Sequence, residues 1–260
     1  MNTSALASNK LVRVAVIILQ IMGNAMIRAN CRERFTAADF DFVVRTLARS
    51  QSDSVSLVDL LSDSKTRDSV LDHPRLVDAI LSNPSHLCIS SQFYFYVLAR
   101  QVLQQAGIND RKLCDYIGSL LETFSRTSRL LVSEEDNIDS RGRQYISDLL
   151  IALKRATPEQ AFLLRAHAGN YSLFVSGIFH ENTHRRSQRG APDIKFYEQI
   201  GRTNYELVAS HQTARRCELD DVFENLADLF HDVRLALNEL SDRLLNLDDN
   251  IGPATAGLIG

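Results

Sequence analysis

The chain is predicted to be all-α, a multi-helix globular bundle of roughly nine to eleven helices with no sheet. Three observations carry that prediction. Apolar residues recur at helical spacing in most segments, capping residues and helix-stopping glycines or prolines punctuate them, and strand-type alternation and hairpin dipeptides are absent. With 260 residues and 45% hydrophobic content, the chain buries a full core without disulfide or metal staples.

Residues 1–30 read as an N-terminal helix or a leader-like segment, since "NKLVRVAVIILQIMGNA" has two cations, a short apolar run and then small residues. Gln20 and Asn24 interrupt the run, and Val14 to Met22 falls short of the ~20 residues of a membrane span, so the helix is the favoured reading. In "FTAADFDFVVRTLARS", Thr36 and Asp39 form an acidic capping box, and Phe40, Val43, Val44 and Leu47 share one face. "SVSLVDLLSD" and "DHPRLVDAILSNP" are shorter helices, the second with Asp72 as cap and Pro74 in its first turn, where the missing N–H is harmless.

"CISSQFYFYVLARQVLQQAGI" opens on serine caps and closes on Gly107. Its run Phe93 to Leu98 covers nearly every face, as in a central helix. Next comes "NDRKLCDYIGSLLETF", capped by Asn109. The polar stretch 125–143 is a surface loop, or the division between two helical subdomains within a domain of residues 31–245. After "YISDLLIALKRA", "TPEQAFLLRAHAG" begins with a Thr157–Gln160 capping box and stops at Gly169. A helix bearing "HENTH" follows, "RSQRGAPD" breaks it, and Asp193 caps "IKFYEQIGRTNYELVASHQ". One long last helix runs from about Glu218 to Leu245, and residues 246–260 form a disordered tail.

The stretches "SSQFYFYVLARQVLQQAGI" and "FYEQIGRTNYELVASH" resemble segments of an uncharacterised all-helical bacterial protein family of unknown function. The resemblance spans Phe35 to Leu245 by general pattern. It implies a helical fold and brings no activity with it.

Twenty-nine basic against thirty-two acidic side chains give a net charge of −3, so no global field favours nucleic acid or an anionic membrane. Cys31, Cys88, Cys114 and Cys217 are scattered without zinc-finger spacing and read as reduced, mostly buried thiols of a cytoplasmic protein.

His180, Glu181 and His184 form the H-E-x-x-H pattern, in which two imidazoles about 40° apart on a helix share a zinc ion and the glutamate acts as general base. Arg185 and Arg186 follow directly, which is unfavourable beside a dication. A third ligand comes from Glu206 or His211. On a helical wheel Glu206 points about 120° from the apolar face and His211 about 20°, which favours His211. Arg185, Arg186 and Arg189, with Lys195 and Arg202 nearby, form a candidate anion site, against the plainer role of cations at a helix C-terminus. Arg67 and His73 have the spacing of a dyad found in helical ribonucleases, in a segment interrupted by Pro74.

The favoured function is a non-enzymatic scaffold, adaptor or regulatory protein without a cofactor, with a homodimer through the last helix as a candidate assembly. The alternatives are a zinc-dependent hydrolase acting through Glu181 and a basic-patch binder of RNA or phosphate.

Overall fold

The computed structural model describes residues 27–82, 88–131 and 138–251. Most of the expected N-terminal helix and the end of the expected tail lie outside them. Among the described residues there are a 3-10 turn at Arg32–Arg34, thirteen α-helices and no strand. The helices are α1 (Ala37–Leu47), α2 (Gln51–Ser62), α3 (Ser64–Leu71), α4 (Pro74–Ser82), α5 (Ser91–Gln105), α6 (Arg111–Leu131) and α7 (Ile138–Leu153). They continue with α8 (Pro158–Ile178), α9 (His180–Ser187), α10 (Ile194–Ala209), α11 (Gln212–Arg216), α12 (Asp220–Asp228) and α13 (Phe230–Ile251).

The helix number exceeds the expected range because the last long helix breaks at Leu229 into α12 and α13, and α3 and α11 form in stretches where no separate helix was expected. Conversely, α6 runs on to Leu131 and α7 starts at Ile138, so most of the expected loop 125–143 is helical. Helix α13 continues to Ile251, into the segment expected as a tail.

The chain forms two compact units, one from Ala29–Arg129 and the chain from Glu239 on, the other centred on Leu130–Asn238. In the first, α5 is the apolar centre: Phe93, Tyr96, Val97, Leu98, Ala99, Val102 and Leu103 are buried. Phe35 and Phe42 pack edge-on against Phe93, with ring centroids 5.1 and 5.9 Å away. The Thr36–Asp39 capping box forms as expected, and Asp39 does more. Its fully buried carboxylate also accepts the Ser90 N–H at 2.6 Å and the Ser90 hydroxyl at 2.8 Å, while Ser90 in turn caps α5. One side chain thereby joins two helix N-termini.

Partly buried ion pairs tie the same unit together. Arg100, 4% exposed, donates to both oxygens of Asp72 at 2.9 and 3.1 Å, and Arg111 reaches the same carboxylate. Arg111 also pairs with Asp68, which meets Arg32, which in turn meets Asp115. Three guanidinium groups therefore balance three carboxylates. Burial opposes ionisation of Asp72, but the Arg100 and Arg111 hydrogen bonds outweigh it and hold the carboxyl below its usual range. Asp115 goes the other way: it is the more deeply buried partner, and burial pushes it up against the bonds from Arg32. Asp72 is thus an ion-pair partner, not the expected cap of α4; that cap is His73, whose Nδ1 accepts the Arg75 N–H at 3.2 Å. The expected Asn109 cap is likewise replaced by Asp110, which accepts the Lys112 and Leu113 N–H groups, while the Asn109 carbonyl serves Arg100.

In the second unit, α8 packs along α10, and α10 along α12. The expected stop at Gly169 does not occur, because this glycine is a contact point inside α8: an added Cβ would lie 2.8 Å from the Tyr205 ring. The Tyr205 hydroxyl bonds Asn170 beside it at 2.8 Å. Gly201 is tighter, with Phe230 ring atoms 2.1 and 2.4 Å from where a Cβ would stand.

His167 on α8 has its imidazole pushed down to about 4 by burial. A histidine ionises near 6.5 in an unfolded chain, so the unfolded state takes up the proton first as pH falls. This contribution to stability is whole above about pH 6.5 and is lost progressively down to about pH 4 and below, by up to about 3 kcal/mol. Urea denaturation at pH 7 and pH 4.5 is expected to show a smaller loss for His167→Gln than for the wild type.

Candidate functional site

The HENTH motif does not continue a long helix. Helix α8 ends at Ile178, Phe179 turns the chain with φ −106° and ψ 36°, and α9 begins at His180. The break has a side-chain partner: the Asn238 amide donates to the carbonyls of Ser176 at 2.9 Å and Gly177 at 2.7 Å, satisfying acceptors at the end of α8. Arg234 holds the Asn238 carbonyl oxygen at 2.9 Å and pairs with Glu198 at 3.4 Å. Helix α9 then ends as "RSQRG" predicts. The Gly190 and Ala191 N–H groups donate to the carbonyls of Ser187 and Arg186, and Gly190 takes φ +85°, a left-handed position that suits glycine.

On this eight-residue helix Thr183 is buried, His180 is half-buried, and Glu181 and His184 are exposed. The ligand atoms of His180 and Glu181 lie within 4.8 Å of one another. Among the described residues, no three His, Cys, Asp or Glu side chains that include His184, His211 or Glu206 approach so closely.

His211 is placed elsewhere because α10 ends at Ala209, so the wheel of that helix does not extend to it. It caps α11 instead, its Nδ1 accepting the Thr213 N–H at 3.1 Å, and its ring stacks on Phe162 at 5.0 Å. His211 is half-buried against Phe162 and serves as a helix cap. Glu206 is exposed, as its wheel position predicts, and lines a surface cleft of about 530 Å³.

Around that cleft Glu206, Asp220, Glu224 and Asp228 outnumber Arg202 and Arg215. Arg202, counted with the basic cluster in the sequence, gives its Nε–H to the Ala227 carbonyl at 3.1 Å and faces these carboxylates. Its setting therefore disfavours an anion. Arg185 and Arg189 are exposed near the C-terminus of α9, where cations complement the helix dipole, and Arg186 is half-buried. The ribonuclease-like pair is also taken up by the fold. Arg67 donates to the Leu61 carbonyl at 2.7 Å and lies over the Phe40 ring, and His73 caps α4.

Cys31 and Cys114 are buried, and burial pushes their thiols up to about 12 and about 11, which keeps them protonated and unreactive. Cys88 and Cys217 are exposed, so only half of the cysteines are buried as expected.

One surface feature escaped the sequence reading. Helix α2 buries a single residue, Leu61, while Val55 is 59% and Val58 53% exposed. The signal was present in the spacing Gln51, Val55, Val58, Ser62, which places two valines on one stripe with polar ends.

Among the described residues no helix is long and apolar enough to cross a membrane. The chain matches no protein-family model, no curated protein and no solved structure, so its own geometry and chemistry carry the functional reading.

Proposed function

We propose that the protein acts through its surfaces, as a scaffold, adaptor or regulatory partner of other proteins in the cytoplasm, and without a cofactor. The observation that carries this reading is the pair of exposed valines on α2, a helix with only one buried residue. Two histidines that the sequence offered as chemical candidates, His73 and His211, accept N–H groups as helix caps instead. For a homodimer through α13, Leu235 and Leu245 are the exposed large apolar side chains, since Val233, Leu237 and Leu240 are buried within the chain itself.

Photo-crosslinking in the cells that make the protein, with a benzoylphenylalanine placed in turn at Val55, Glu181 and Leu235, tests the reading. A discrete, reproducible adduct with a second polypeptide from at least one position is expected. Failure of all three positions to give one overturns it.

The zinc-hydrolase reading keeps one favourable observation, the close approach of His180 and Glu181. Stoichiometric zinc in untagged protein, lost on His180→Ala/His184→Ala substitution, establishes a metal site there and displaces the non-enzymatic reading. Salt-dependent RNA binding that weakens on neutralising Arg185, Arg186 and Arg189 favours the basic-patch reading instead.

A further inference from the structure

We propose that the joint between α8 and α9 is a two-state device: with the Asn238 amide inserted it is bent, and with the amide withdrawn α8 and α9 run on as one helix. The bend is confined to Phe179, whose ψ of 36° stands in place of the helical value of about −42°. Regular ladder bonds flank it on both sides, from the Phe179 N–H to the Val175 carbonyl at 3.1 Å and from the Thr183 N–H to the Phe179 carbonyl at 2.8 Å. Helices kink at proline, at Gly/Ser pairs, or where a side chain enters the ladder. This joint has no proline, and Ser176 and Gly177 are the pair whose carbonyls the amide takes.

A continuous helix would offer those two carbonyls to the N–H groups of His180 and Glu181, four residues on. In the bent form they accept from the Asn238 amide at 2.9 and 2.7 Å. Gly177 makes the insertion possible: a Cβ there would stand 2.9 Å from Leu237, so the missing side chain lets α13 approach and brings the next residue, Asn238, onto the backbone. Straightening exchanges two amide bonds for two backbone bonds, the near-balance that a two-state element needs. Helix α9 is lightly held, since Thr183 is its one buried residue. Arg234 steadies the clamp through Asn238 Oδ1 at 2.9 Å, and lies 3.4 Å from Glu198 and 3.3 Å from His231, a side chain 57% exposed. The clamp on α13 is thereby linked to solvent, and its state sets the direction in which α9 presents His180, Glu181 and Arg185.

Double electron–electron resonance on the full chain tests the proposal, with nitroxides on Glu159→Cys in α8 and Arg185→Cys in α9, both exposed positions. Cys88→Ser and Cys217→Ser leave only the buried thiols besides the labels. A straight helix from 159 to 185 spans ~39 Å. The chain with native Asn238 is expected to give a shorter distance. Asn238→Asp keeps the acceptor for Arg234 but turns an oxygen against both carbonyls, and should move the main population toward ~39 Å. Asn238→Ala, which only removes the amide, should do the same, and decides the matter if the aspartate variant does not fold. A control pair, Glu159→Cys with Leu207→Cys on α10, leaves out the joint and is expected to keep its distance in every variant. With that control intact, an unchanged α8–α9 distance overturns the proposal. So does a broad spread without a peak near ~39 Å, which shows α9 detached rather than joined.

Discussion

Asp39→Ala is expected to lower the unfolding free energy by about 3 kcal/mol, measured by urea denaturation at pH 7. The carboxylate is fully buried and accepts four hydrogen bonds, from the Thr36 N–H at 2.6 Å, the Thr36 hydroxyl at 3.0 Å, and the Ser90 N–H and hydroxyl at 2.6 and 2.8 Å. Alanine leaves two backbone donors without acceptors and frees the Ser90 side chain that caps α5. A typical cap is worth ~1 kcal/mol, and charge-assisted bonds to buried donors add more. Asp39→Asn should cost less, because one oxygen remains an acceptor while the amide opposes donors on the other side. A loss below about 1 kcal/mol for the alanine variant would show that the two caps are independent of Asp39.

The second large effect is expected at Gly201. An alanine methyl would stand 2.1 Å from Phe230 Cε2, and Phe230 is fully buried, so the ring cannot swing into solvent without opening the core. Overpacking of this kind costs about 1–3 kcal/mol, and the close approach puts Gly201→Ala at the upper end, about 3 kcal/mol. The smaller side chain in Phe230→Leu makes room for the methyl. In a double-mutant cycle the pair should therefore be less destabilised than the sum of its parts by about 1–2 kcal/mol. Strict additivity would sink the steric explanation.

What was legible in the sequence was local. The capping boxes at Thr36 and Thr157, the serine cap of α5, the Asp193 cap of α10 and the glycine stops at Gly107 and Gly190 stand where nearest-neighbour chemistry puts them. Illegible features depend on residues far apart along the chain. Gly169 looks like a stop until Tyr205 occupies the space of its missing Cβ, and Asp72 looks like a cap until Arg100 and Arg111 claim it. The candidate site divides in the same way. Four-residue spacing fixed His180 and His184 on one short helix, but a third ligand is a tertiary matter, and the wheel that led to His211 assumed a helix that ends before it. The α2 valines were legible and overlooked, because apolar residues at helical spacing are read as facing inward by default.

The division into units has a consequence for how the protein is made. The unit containing Ala29–Arg129 also takes the chain from Glu239 on, where Leu240 is buried and Arg243 bonds Gln105 across 138 residues. Synthesis runs from the N-terminus, so α1 to α6 emerge first and still lack their final segment while residues 130–238 are added. At ~5–20 residues per second that wait lasts roughly 5–20 s, long beside the sub-second folding of small helical units. The earliest helices to leave the ribosome therefore belong to the last unit to be completed.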